Sequence, residues 1–134
     1  MAVSARSLHL DDAAVLEAFE NCTLPAESFA HADHIRLARL YVRQLGAAAA
    51  ADALAIAIRR FAEAHGADKK YHETVTRAWA ALVAGAPGAT FEEFRAANPD
   101  LFDKDALSRY YSPELLTSPL ARREFLPPDR NPLP

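Results

Sequence analysis

Cysteine is almost missing from this chain. Cys22 is the only one, and a single thiol closes no internal disulfide, so nothing here asks for an oxidising compartment. As a nucleophile it is also a poor candidate, because its loop is flanked by apolar residues and no cation adjoins it in sequence. Long apolar runs are missing too. No stretch approaches the ~20 residues of a membrane-spanning helix, and the run Ala47 to Ala51 is a helix former rather than a lipid seeker. The first residues lack the apolar core of a secretion signal. These absences lead to the expectation of a soluble cytoplasmic protein with no membrane partner. Basic runs are absent as well. Lys69-Lys70, Arg59-Arg60 and Arg122-Arg123 are only pairs, so no nucleic-acid partner is expected. Valine and isoleucine are sparse and never alternate with polar residues over any length, so no strand is expected.

What is present is ordinary globular material: 134 residues, 51 % apolar, 25 % charged, net charge −3. A chain of this length makes one domain and buries about two-thirds of its unfolded surface. Its apolar residues recur at helical spacing. Met1 to Leu8 reads as a lead-in. Asp11 or Asp12 caps a first helix with Val15, Leu16 and Phe19 on its apolar side, fading near Asn21. Thr23 to Ala30, with Pro25, reads as a loop. A second helix begins between Ser28 and Asp33 and ends at Leu45 before Gly46, with Leu37, Ala38, Tyr41 and Leu45 as its stripe. A third runs from about Ala48 to His65 before Gly66. A fourth starts near Asp68 to Lys70, with Asp68 as its cap, and ends before Gly85. Thr90-Phe91-Glu92-Glu93 is a capping box opening a short helix. Asp103 to Tyr111 reads as helical, and Ser112-Pro113 and Ser118-Pro119 each pair a cap with a first-turn proline. The expected fold is all-α: an antiparallel bundle of about four main helices with short C-terminal helices over residues 1–126. A Pro-rich tail follows, Pro127 to Pro134, extended on the surface or disordered.

The chemistry gathers in two stretches, Phe29-Ala30-His31-Ala32-Asp33-His34 and Lys69-Lys70-Tyr71-His72-Glu73-Thr74-Val75-Thr76-Arg77-Ala78-Trp79. Short connections make neighbouring helices antiparallel, so the start of the second helix, the end of the third and the start of the fourth share one end. His31, His34, His65 and His72 then lie within one or two turns of height. One histidine on an apolar stripe is most often a buried, hydrogen-bonded core residue. Two at i, i+3 plus a His-Glu pair on a neighbouring helix resemble a bundle metal centre. The expected ligands are His31, His34, His72 and Glu73, around a divalent transition metal, with Zn, Fe and Cu all open. Glu73 doubles as the acid-base group and Tyr71 as a second catalytic candidate. Arg77, Lys70 and Thr76 are the expected substrate contacts. Asp33 reads either as a ligand or as the cap of the second helix. His65 also suits the negative end of its own helix. Tyr71, Thr76 and Trp79 each have a duller reading as packing or a back-bond to their own helix. Tyr110 and Tyr111 are candidates to close over the pocket.

Phe29-x-His31-x-x-His34, Lys70-Tyr71-His72-Glu73-Thr74-Val75-Thr76-Arg77-Ala78-Trp79 and Tyr110-Tyr111-Ser112 resemble a group of small bacterial helical proteins across residues 29–112. That resemblance implies a helical fold and no particular reaction. A looser similarity to DinB-like bundles, which hold a metal with three histidines from different helices, is architectural, because the spacing differs.

Three readings follow. The first is a metal-dependent enzyme activating water or oxygen on a small-molecule substrate, whether hydrolase or oxidoreductase. The second is a metal-free acid-base enzyme using His72 and Glu73, with Tyr71 and Arg77 holding an anion. The third is a non-catalytic module binding a small ligand or a partner. An apolar face on the first helix or the tail offers a homodimer contact. The metal reading carries a test. Imidazole ligands protonate near pH 6, so stability gained from added Zn²⁺ should shrink between about pH 7 and 5. A gain constant across that window in thermal melts counts against imidazole ligation.

Overall fold

Gly46 decides where the two longest helices part. At φ +82° it holds a conformation that a side chain resists. It ends one helix and its carbonyl accepts the first bond of the next, from the Ala50 amide. The computed structural model describes residues 12–25 and 30–134. Within them the helices are α1 (Asp12–Glu20), α2 (His31–Leu45), α3 (Ala47–Ala64), α4 (Glu73–Ala84), α5 (Phe91–Ala97), α6 (Pro113–Leu116) and α7 (Pro119–Arg123). Short 3-10 turns lie at Asp68–Lys70, Pro99–Phe102 and Ala106–Arg109. No strand occurs among the described residues, and none of their helices is long and apolar enough to cross a membrane. The lead-in Met1 to Leu8, the alternative cap Asp11, and Ser28 and Phe29 fall outside the described residues.

The core forms where α2, α3 and α4 pack on one another, with α1 laid against α3 and α7 against α4. Ile35, Leu37, Tyr41, Leu54, Phe61 and Trp79 are buried there. Phe19 of α1 stacks on Phe61 of α3, ring centres 4.8 Å apart. α2 starts without a capping side chain at its Ala30 N-cap. Asp33, two residues into the helix, reaches back instead: its carboxylate accepts from the Ala30 amide at 2.8 Å.

The caps at Thr90, Ser112 and Ser118 form as expected, each hydroxyl accepting an amide three residues on. Glu93 completes its box one residue early, accepting from Ala89 rather than Thr90. Three expectations change. The stretch from Asp103 to Tyr111 makes only a 3-10 turn at its centre. The tail is extended but tied down: Asp129 accepts from the Ser112 amide and hydroxyl, and Arg130 and Asn131 donate to the carbonyls of Ser108 and Arg109. Finally, α4 begins at Glu73, several residues later than Asp68 suggested.

Arginines of α2 cover the α5 side of the core. Arg36 and Arg39 lie over the Phe91 and Phe94 rings at 5.4 and 5.5 Å. Arg39 is buried yet satisfied, because it donates to the Gly88 and Ala89 carbonyls. Those carbonyls face it because Gly88, at φ +133°, lets the loop lie flat against Phe94. A Cβ at Gly88 would overlap the Phe94 backbone. Gly88→Ala is therefore expected to lower stability by about 1–3 kcal/mol, read as a fall in Tm. An unchanged Tm would show that the loop relaxes freely.

Candidate ligand cleft

The start of α4 is built by one imidazole. The 3-10 turn Asp68–Lys70 ends, Tyr71 runs extended, and His72 takes the N-cap position of α4. The Val75 amide donates to His72 Nδ1 at 3.2 Å, so that nitrogen carries no proton. Nε2 faces the Leu116 carbonyl at 2.7 Å, and a carbonyl only accepts, so Nε2 carries the proton. Both ring nitrogens are thereby engaged in the neutral ring. Burial, reinforced by Arg122 and partly opposed by the Leu116 carbonyl, lowers its pKa.

Extended Tyr71 is held from several sides. Its hydroxyl donates to Glu73 Oε1 at 2.5 Å and makes a further hydrogen bond with Thr76. Arg59 of α3 sits over its ring at 4.9 Å. Burial and then the Glu73 contact raise its pKa. Burial alone would raise that of Glu73. The bonds from Tyr71 and Arg77, with the charges of Arg77 and Arg59, outweigh it and hold Glu73 below its ordinary value. Arg77 bridges Glu73 and Asp52 of α3, both at 2.7 Å. Glu73 is thus a fixed carboxylate tying α4 to α3 through Arg77.

Beside this network lie two adjoining cavities of about 130 and 320 Å³. Both are lined by His34, Ile58, Lys70 and Tyr71. The smaller is closed by Leu54, Val75, Thr76 and Trp79, with His72 at its edge. The larger extends past Phe61 and Ala62 to His65 and Ala67. His34 is surrounded by protein, with its residual exposure directed at these cavities. Burial first, and then His31, push its pKa down to about 3. It is a neutral imidazole at any ordinary pH.

Of the expected site residues, the structure brings His34, His72, Lys70, Tyr71 and Thr76 to one cleft. Glu73 and Arg77 stand behind it. His31 stands apart: its Nε2 donates to the Leu101 carbonyl at 2.9 Å and its ring packs on Trp79 at 4.6 Å. Burial lowers its pKa against the pull of that carbonyl and Asp103. His65 Nδ1 bonds the Phe61 carbonyl of its own helix. No three His, Cys, Asp or Glu side chains among the described residues come together as a metal-holding group. His31, His34, His72 and Glu73 therefore form no assembled ligand set: His72 has no nitrogen to give, and His31 and Glu73 are turned to other partners. Asp33 is not the N-cap of α2 but its third residue, and its carboxylate completes the helix start by accepting from the Ala30 amide. Tyr111 is no lid. It is fully buried and donates to the Leu126 carbonyl. Thr76 lines the smaller cavity beside Tyr71.

Sequence reasoning missed Leu54 and Ile58 as cleft walls, Arg59 over Tyr71 and Asp52 behind Arg77. The first two carried a signal, since both lie on the apolar stripe of α3. The pairing of Asp52 with Arg77, 25 residues apart, had none. No family model matches this chain, and neither curated proteins nor solved structures include a match to it.

His34 makes a pH prediction. Its folded pKa lies below the 6.5 of the unfolded chain, so the unfolded state takes up the proton first. Stability is then independent of this group above pH 6.5 and falls as pH drops from 6.5 toward about 3. The expected loss from His34 is about 3 kcal/mol by pH 4. His34→Asn should lose correspondingly less than the parent between pH 7 and 4 in denaturant melts. Equal losses would place the ring in contact with water.

Proposed function

We propose that this chain binds a small, largely apolar molecule in the cleft between α2, α3 and α4. The observation that carries this reading is the pair of adjoining cavities sharing His34, Ile58, Lys70 and Tyr71. Ligand sites are concave and mostly apolar, with a few polar groups that fix orientation. Leu54, Ile58, Val75 and Trp79 supply the apolar wall. The neutral His34 ring supplies a polar point that carries no charge into a buried space. Tyr71 and Thr76 hold the rim in shape. His72 and Glu73 work in this reading as structure: one caps α4 and the other anchors Tyr71 and Arg77. The antiparallel order of α2 and α3 expected from their short Gly46 connection belongs to the same reading, since it stacks the cleft walls at one level.

The chain carries one tryptophan, and it lines the smaller cavity. Trp79 fluorescence is therefore a direct reporter. In a diverse fragment screen, a true ligand at ten times its Kd should add about 1.4 kcal/mol of stability, raising Tm by roughly 4–6 °C, and should shift Trp79 emission. Val75→Phe, which fills the smaller cavity, should abolish both changes while keeping the helical circular dichroism of the parent. Binding should also persist in a chelator. If no fragment moves either signal, or if Val75→Phe binds as the parent does, the reading fails.

A further inference from the structure

We infer that the ligand is an apolar monocarboxylate whose charge is met by Lys70. This rests on the cleft reading and adds the chemical class. Among the residues lining either cavity, Lys70 is the permanent charge, and no Asp or Glu lines them. The Lys70 ammonium has no ion-pair partner among the described residues. Its backbone is held in place, because Arg122 donates to the Lys69 and Lys70 carbonyls at 3.2 and 3.5 Å. Arg59 adds a second cation over Tyr71. The nearby carboxylate Glu73 is already matched by Arg77. A chain of net charge −3 thus presents a positive mouth to an apolar cleft.

The other polar groups narrow the class. Tyr71 spends its proton on Glu73, and His72 spends both nitrogens on backbone groups. Neither has a donor left for a second anionic group, so among the residues lining the cavities one cation, Lys70, is available to match one negative charge. A phosphate monoester would bring nearly two. The smaller cavity, about 130 Å³ between Leu54, Ile58, Val75 and Trp79, is close to the size that accepts one benzene ring. An aryl or short branched alkyl body attached to one carboxylate matches both ends.

The test uses 3-phenylpropanoate against 3-phenylpropanol, with 3-phenylpropyl phosphate as a third probe. Each is titrated at pH 7.4 against Trp79 fluorescence and by calorimetry. A charge-assisted contact predicts that the acid binds about tenfold tighter than the alcohol and tighter than the phosphate. Lys70→Met should reduce the acid to the affinity of the alcohol, removing the preference. Lys70 is exposed, so the variant folds as the parent does, checked by Tm. If the alcohol or the phosphate binds the parent as tightly as the acid, or if Lys70→Met keeps the preference, the inference is overturned and the cleft reading stands. If none of the three binds while the fragment screen finds other ligands, the inference is likewise overturned. If the screen is also empty, the cleft reading falls with it.

Discussion

The His72 imidazole satisfies two backbone groups at once, the Val75 amide inside α4 and the Leu116 carbonyl of a C-terminal turn. A helix start leaves amides without partners, and a buried carbonyl without a donor is costly. A neutral ring with one donor and one acceptor answers both. This interaction sets where α4 begins, and with it the extended step at Tyr71. Were the helix to start at Asp68, Tyr71 and Glu73 would sit on different faces of a regular turn. Their 2.5 Å hydrogen bond exists because the chain is straight just before Glu73. The rim of the cleft depends on that geometry.

The histidines show why residue type alone does not name a chemistry. His31 donates to the Leu101 carbonyl and packs on Trp79. His65 closes the end of α3 on the Phe61 carbonyl, and His72 opens α4. Burial depresses the pKa of His31, His34 and His72, keeping these rings uncharged, as a buried hydrogen-bonding ring must be. Neutral imidazole is also the form that binds metals, so the composition suits both uses. The partners of each nitrogen decide between them. His34 differs in facing the cavities, and this makes it the polar point of the cleft.

Much of the fold was legible beforehand. The Gly46 break, the Thr90, Ser112 and Ser118 caps and the α2 stripe as far as Tyr41 are local rules of spacing and hydrogen bonding, whereas Leu45 at the end of that stripe is exposed. The meeting of His34 with the 70–76 stretch followed from connection length. What was not legible involved partners far along the chain. Asp68 was the expected cap, but the Leu116 carbonyl, 44 residues beyond His72, favours the start at His72. The tail looked loose because proline lacks the amide that makes regular structure. The Asp129 bonds to Ser112 could not be read from it.

The sequence by itself determined an all-helical chain and the breaks between its long helices. It also determined that chemistry-bearing side chains crowd the start of α2 and the approach to α4. These follow from periodicity and from interactions within four residues, which any helix of this sequence repeats. Only the tertiary structure decided what those side chains do. The proton on His72, the ionised state of Glu73, the cover over Tyr71 and the space beside Trp79 all depend on groups brought from other helices. A hydrogen bond or a cavity wall is set by distance in space, and chain order does not encode that distance until the core has closed.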